Sequence, residues 1–145
     1  MEFEGTVKKD KKTSLWIAEV SSLDAMTQGT TKENAIDMLR DLIKEMLIDT
    51  FSQKVSKKFS FEVHFHGERT FGITSSDNKV LISLALRRQR EREGISVREV
   101  MNRIHAKSPN AYAQYEKGEI NISVDVLDRL FSAIGSNGCN RLRFV

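Results

Sequence analysis

Asn110, Gln114 and Lys117 recur at helical spacing in the last third of the chain, which places them on one side of a helix. A carboxamide can donate and accept at one base edge at once, and a lysine ammonium can hold a backbone phosphate. With Ala111 beside them, these residues suit a surface that reads duplex DNA; a solvated helix face is the plainer alternative. Arg98 and Lys107 add positive charge nearby, and Ser96 and Ser108 open two successive helices whose free amide hydrogens attract phosphate. Arg87, Arg88 and Arg103 could join the phosphate contacts or serve as ordinary surface charge.

Other chemistry is poorly supported. Nuclease chemistry needs several carboxylates converging on metal ions, and Glu2, Glu4, Glu19, Asp24 and Asp37 form no recognisable metal motif. His64 and His66 share a strand face without a third ligand. Cys139 has no neighbour that would make it a nucleophile. The sequence therefore predicts no catalytic residue, metal or cofactor, and no enzyme.

Positioning the DNA-reading residues requires a bundle of short helices. Leu81, Leu84 and Ala85 mark a first helix ending near Gly94. Ser96 with Glu99 is a capping box that opens a second, with Val97, Val100, Met101 and Ile104 inward. Ser108-Pro109 starts a third, which carries Tyr112 and Tyr115 inward and stops at Gly118. Ser123 starts a fourth, with Leu127, Leu130, Phe131 and Ile134 inward. Arg141–Val145 reads as a short strand.

The preceding half has a different period. Phe3, Gly5 and Val7 alternate into a lysine-rich turn at Lys8–Lys12, a second strand runs to Val20, and a third extended piece covers Ala25–Gln28. Thr30 with Glu33 has capping-box spacing, and Ala35, Met38, Leu39, Leu42, Ile43, Met46 and Leu47 follow on one face of a helix of about four turns. Residues 52–58 read as a connection. Phe59, Phe61, Val63 and Phe65 then alternate with polar residues, predicting a strand whose aromatic face covers the long helix, paired with a strand around Thr70–Thr74. Ser75–Asn78 is a polar break, so the boundary falls between domains 1–77 and 78–145.

The 145 residues suffice for one ordinary or two small domains, and an apolar share of 39% supports a packed core. One Cys excludes an internal disulfide framework, as expected of a reducing cytoplasm. No apolar run reaches the ~20 residues of a membrane helix, and the charged start Met1–Asp10 does not read as a signal peptide. The net charge of +3 divides unevenly: residues 1–77 carry 11 basic and 13 acidic side chains, residues 78–145 carry 12 and 7. Such asymmetry fits one half that faces nucleic acid and one that does not.

Two resemblances follow. Leu86, Arg87 and Arg90, then Gly94-Ile95-Ser96, Val100, Tyr112, Tyr115, Glu116 and Gly118 resemble the Cro and phage-repressor class of helix-turn-helix over about residues 80–135. The resemblance implies a structural ion pair between Arg90 and Glu116. His105 stands where the class usually has Gly, Met101 replaces a small residue, and the turn from Ile104 to Ser108 is one residue longer. The stretch Trp16–Gly29, followed by the amphipathic helix from Thr30 to Leu47, resembles the HicB antitoxin domain, a degenerate ribonuclease H-like fold, over about residues 3–75.

Together they imply an α+β chain: an N-terminal degenerate ribonuclease H-like sheet with one long helix, then an all-α helix-turn-helix domain. They further imply an antitoxin that neutralises a HicA-type messenger-RNA interferase, represses its own operon as a homo-oligomer on operator DNA, and contacts the toxin through Trp16, Glu19 and Asp24. The alternative is a stand-alone regulator whose first domain senses a ligand or dimerises.

Overall fold

The computed structural model describes residues 1–51, 59–108 and 110–135, which divide into two compact units, Met1–Asn78 and Lys79–Val145. The α+β organisation expected from the sequence is present: a sheet with one long helix, then a helical unit.

In the first unit, β1 (Phe3–Lys9), β2 (Trp16–Val20), β3 (Ala25–Gly29), α1 (Lys32–Phe51), β4 (Phe61–Phe65) and β5 (Thr70–Ser75) follow in chain order. The sheet order is β3-β2-β1-β5-β4, with every neighbouring pair antiparallel. Phe3, Gly5 and Val7 of β1, Ala18 and Val20 of β2 and Ala25 and Gly29 of β3 are buried on one face, against which α1 packs. This is the period-2 alternation of a sheet with one covered face.

Gly5 has a specific task there. It faces Phe71 across the β1–β5 register, and a side-chain Cβ at position 5 would lie 2.3 Å from the Phe71 ring. The missing side chain leaves room for the aromatic ring on the neighbouring strand.

Helix α1 begins one residue later than the Thr30–Glu33 spacing implies. Thr31 Oγ1 accepts from Asn34 N at 3.0 Å, and Asn34 Oδ1 accepts from Thr30 N at 3.1 Å. The capping hydroxyl is thus that of Thr31, and the Asn34 side chain reaches back to the Thr30 amide, because β3 extends through Gly29 and carries the helix start with it. The inward face holds Ala35, Ile36, Leu39, Ile43, Leu47 and Phe51. Met38, expected inside, is 47% exposed.

The expectation for the aromatic strand is also corrected. β4 is an edge strand, α1 lies over β1, β2 and β3, and Phe65 is 52% exposed. The Phe65 ring instead receives the Lys32 ammonium at 4.6 Å, a cation–π contact at the start of α1. His64 and His66 have separate partners: Thr74 Oγ1 lies 3.2 Å from His64 Nε2, and Glu2 Oε2 lies 2.7 Å from His66 Nε2.

The β1–β2 hairpin is braced by Asp10. Its Oδ2 accepts from Thr13 N at 2.8 Å, Thr13 Oγ1 at 2.7 Å and Lys12 N at 3.2 Å. Donation from Thr13 holds the carboxyl below its ordinary pKa, so the brace is ionised at neutral pH.

The second unit contains α2 (Asn78–Arg92), α3 (Val97–Arg103), α4 (Ala111–Tyr115) and α5 (Val124–Ile134). Gly94 has φ +67° just beyond α2, where a Cβ would be strained. The Ser96 side chain accepts from Glu99 N and caps α3; Ser123 does the same for α5 through Val126 N. Leu127, Leu130 and Ile134 of α5 are buried as expected, whereas Phe131 is half-buried. The expectations for residues 52–58, Pro109, Cys139 and Arg141–Val145 lie outside the described residues.

A helix-turn-helix surface as candidate nucleic-acid interface

Three separate links hold α4 from the inside. Tyr112 is fully buried, and its amide donates to Met101 Sδ at 3.3 Å. The methionine that replaces a smaller residue therefore fills the α3–α4 junction and gives a partner to an amide left free at a helix start. Ser83, buried in the middle of α2, donates its hydroxyl to Tyr115 O at 2.7 Å. A polar side chain there is satisfied, so its burial is not penalised.

The third link is the Arg90–Glu116 pair expected from the sequence. Arg90 Nε and Nη2 donate to the two Glu116 oxygens at 2.7 and 3.0 Å, and Nη1 donates to Ile95 O at 3.1 Å. The side chains are only 13% and 11% exposed. Donation to Glu116 raises the Arg90 pKa. Burial, reinforced by Glu116, raises that of the Tyr112 phenol. At neutral pH the cluster holds one cation, one anion and a protonated phenol, which is a balanced charge state in a poorly solvated place.

On the other side Asn110, Gln114 and Lys117 are exposed, as the helical spacing predicts, while Ala111 and Tyr115 are half-buried. The helix itself is shorter than expected, beginning at Ala111 with Asn110 as its cap residue. Ser108 organises the turn before it, its side chain accepting from Asn110 N at 3.4 Å and its carbonyl from Ala111 N at 3.1 Å.

The basic residues separate into two kinds. Arg87 is paired with Glu91 at 2.9 Å, and Arg88 lies 3.7 Å from the same carboxylate. Arg103 pairs with Glu99 and donates to Ala133 O at 2.9 Å, tying α3 to the end of α5. That structural use of Arg103 has no signal in its own segment, because the acceptor is a backbone carbonyl 30 residues away. Arg98 and Lys107 are exposed alongside Ser96 and Ser108.

His105 has φ +52°. Its amide donates to Asn102 O, and Ala106 N donates to Met101 O at 3.0 Å, closing α3 with the left-handed turn that glycine favours. The position explains why the repressor class prefers Gly here. A His105→Gly substitution is expected to raise stability by about 0.5–1 kcal/mol, measured as a higher urea midpoint at unchanged slope.

The proposed toxin contacts are dispersed. Trp16 is half-buried on the sheet face that also carries Ala18 and Val20. Glu19 alternates to the other face, where Ser21 Oγ donates to it at 2.7 Å. Asp24 sits exposed in a left-handed turn with φ 50° after the 3-10 segment Ser21–Leu23. Among the described residues, no group of three or more His, Cys, Asp or Glu side chains is placed to hold a metal ion, and no helix is long and apolar enough to cross a membrane.

A short helix pinned by a buried tyrosine and an inter-helix ion pair, with carboxamides outward, defines a helix-turn-helix module. Residues 82–144 match the family model described as a helix-turn-helix domain, and the chain carries a DNA-binding domain of that type. No curated protein matches the chain.

Proposed function

We propose that the protein is a transcription regulator that binds operator DNA through the α4 surface. The observation that carries this reading is the division of α4 into an anchored side and a free side: Tyr112, Tyr115 and Glu116 are held from within, while Asn110, Gln114 and Lys117 face solvent. Asn110 and Gln114 read base edges, and the Ala111 methyl borders them for apolar contact. Arg98, Lys107 and Lys117 hold phosphates, with Ser96 and Ser108 at the margins. A homo-oligomer places two such surfaces about one duplex turn, ~34 Å, apart on a palindromic cytoplasmic operator.

The test begins with a duplex that the full chain selects from a random-sequence pool. Gln114→Ala is expected to lower discrimination at one base pair by roughly 5- to 150-fold, the worth of a bidentate contact of about 1–3 kcal/mol. Arg98→Ala and Lys107→Ala should weaken binding to all sequences and shrink the salt slope by about one each. Unchanged gel shifts in all three variants would remove α4 from the interface.

A second reading adds toxin neutralisation by the first unit. It is favoured by Glu4, Glu19 and Glu62, which alternate onto the sheet face opposite α1 and suit a basic partner. In this reading a HicA-type messenger-RNA interferase docks there, and the regulator represses the operon that encodes both. Co-purification of a small basic protein that cleaves RNA until this chain is added supports it; cleavage undiminished by a molar excess refutes it.

A further inference from the structure

The first unit is acidic overall, yet among its described residues one exposed basic cluster stands out. Lys8, Lys9, Lys11 and Lys12 cluster at the tip of the β1–β2 hairpin with Asp10 as the single acidic residue among them. Without those five positions, residues 1–77 carry 7 basic and 12 acidic side chains. All four lysines are exposed, and among the described residues no salt bridge holds any of them: the Asp10 carboxylate is engaged by the Thr13 amide and hydroxyl and the Lys12 amide and attracts Lys8 only at longer range. The backbone beneath them is fixed as well: Asp10 N donates to Leu15 O at 2.7 Å and Ser14 N to Asp10 O at 3.0 Å. Four like charges held at a rigid tip repel one another, a cost that a polyanion relieves on binding.

We infer that this hairpin tip is a second nucleic-acid contact, gripping the phosphate backbone of the duplex outside the bases that α4 reads. The inference rests on the DNA-binding reading above and extends it to the first unit. Phosphates are the fitting anion because they repeat along the strand without register, so four splayed ammonium groups can engage them without defined base positions. A membrane surface fits less well: the tip offers Thr13 and Ser14 between its lysines and the half-buried Leu15, and no exposed apolar side chain to insert at the headgroup boundary.

The experiment compares the full-length chain with a variant carrying Lys8→Gln, Lys9→Gln, Lys11→Gln and Lys12→Gln. Asp10 and Thr13 are kept so that the brace remains, and a four-arginine variant serves as the charge-preserving control. The probe is a wild-type-selected duplex with ~20 bp of arbitrary sequence on either side of the selected core. Each phosphate contact contributes about 0.9 to the salt slope. The glutamine variant is expected to lose about two to four units of slope and at least tenfold in affinity near ~0.1 M salt, with base preference unchanged and arginine restoring both. Equal slope and affinity in wild type and glutamine variant overturn the inference while leaving the α4 reading intact. Lysine-dependent binding to phosphatidylserine vesicles, with DNA binding unaltered, assigns the tip to a membrane and also overturns it. Failure of the wild type to select any duplex removes the α4 reading and this inference with it.

Discussion

Glu116→Ala should be the most damaging single change in the helical unit, at about 3–5 kcal/mol, because it strands a buried guanidinium. Arg90 is 13% exposed and makes two of its three described hydrogen bonds to Glu116. Loss of the carboxylate leaves that charge with the Ile95 carbonyl and the longer-range Glu91 carboxylate at 3.9 Å, and the Ser83–Tyr115 hydrogen bond is left as the described link between α2 and α4. The chain's single tryptophan, Trp16, lies in the first unit, so its fluorescence follows that unit alone, while far-UV circular dichroism follows helix, of which α2 to α5 hold 38 residues and α1 of the first unit 20. Urea titration of Glu116→Ala is expected to move the larger part of the dichroism change, that of α2 to α5, to lower denaturant, while the α1 part and the Trp16 transition stay in place. An Arg90→Met, Glu116→Leu double variant should recover most of the loss, since apolar replacement of both partners removes the desolvation problem. Coincident, unshifted transitions in Glu116→Ala would show that the pair does not hold the unit together.

Gly29→Ala should have the complementary signature. A Cβ at position 29 would lie 2.4 Å from Ala35 N and 2.8 Å from Ala35 Cα. Those atoms are backbone of α1, which cannot swing aside as a side-chain tip can, so one methyl must lift the helix from β3 or bend the strand. The expected cost is about 3 kcal/mol, the upper part of the range for overpacking. Gly29 faces Trp16 across the β2–β3 register, so the Trp16 transition should move while the dichroism of the second unit persists. A wild-type Trp16 midpoint would mean that the α1–β3 contact yields more readily than this geometry implies.

The sequence was most legible where structure is set locally. The caps at Ser96 and Ser123 and the stop at Gly94 are fixed by residues within four positions of one another, and they fall where the pattern places them. The first helix start was ambiguous for a local reason as well, since Thr30 and Thr31 are both competent caps and only the length of β3 chooses between them. Non-local features were harder. Alternation along Phe61–Phe65 announces a strand, but its edge position follows from β5 pairing with β1, a partnership of residues about 70 apart. The same limit affected Trp16 and Glu19, three positions apart and hence on opposite faces of one strand. Around α4, the inward Tyr112 was legible from helical spacing, and the Arg90–Glu116 pair from the resemblance to the repressor class. Ser83 was not, because a lone serine in an apolar helix gives no sign of the Tyr115 carbonyl it serves.

The anchoring of α4 has a consequence for how such a protein can diversify. Every described bond that fastens the helix to α2 and α3 starts or ends on Tyr112, Tyr115 or Glu116, and none uses the side chains of Asn110, Gln114 or Lys117. On the proposed DNA-binding reading, fold and address are therefore written in different letters of one short segment, residues 110–117. On that reading, mutation at Asn110, Gln114 or Lys117 rewrites the address while leaving every described bond to α2 and α3 in place, so a gene duplicate could acquire a new binding site in a few steps.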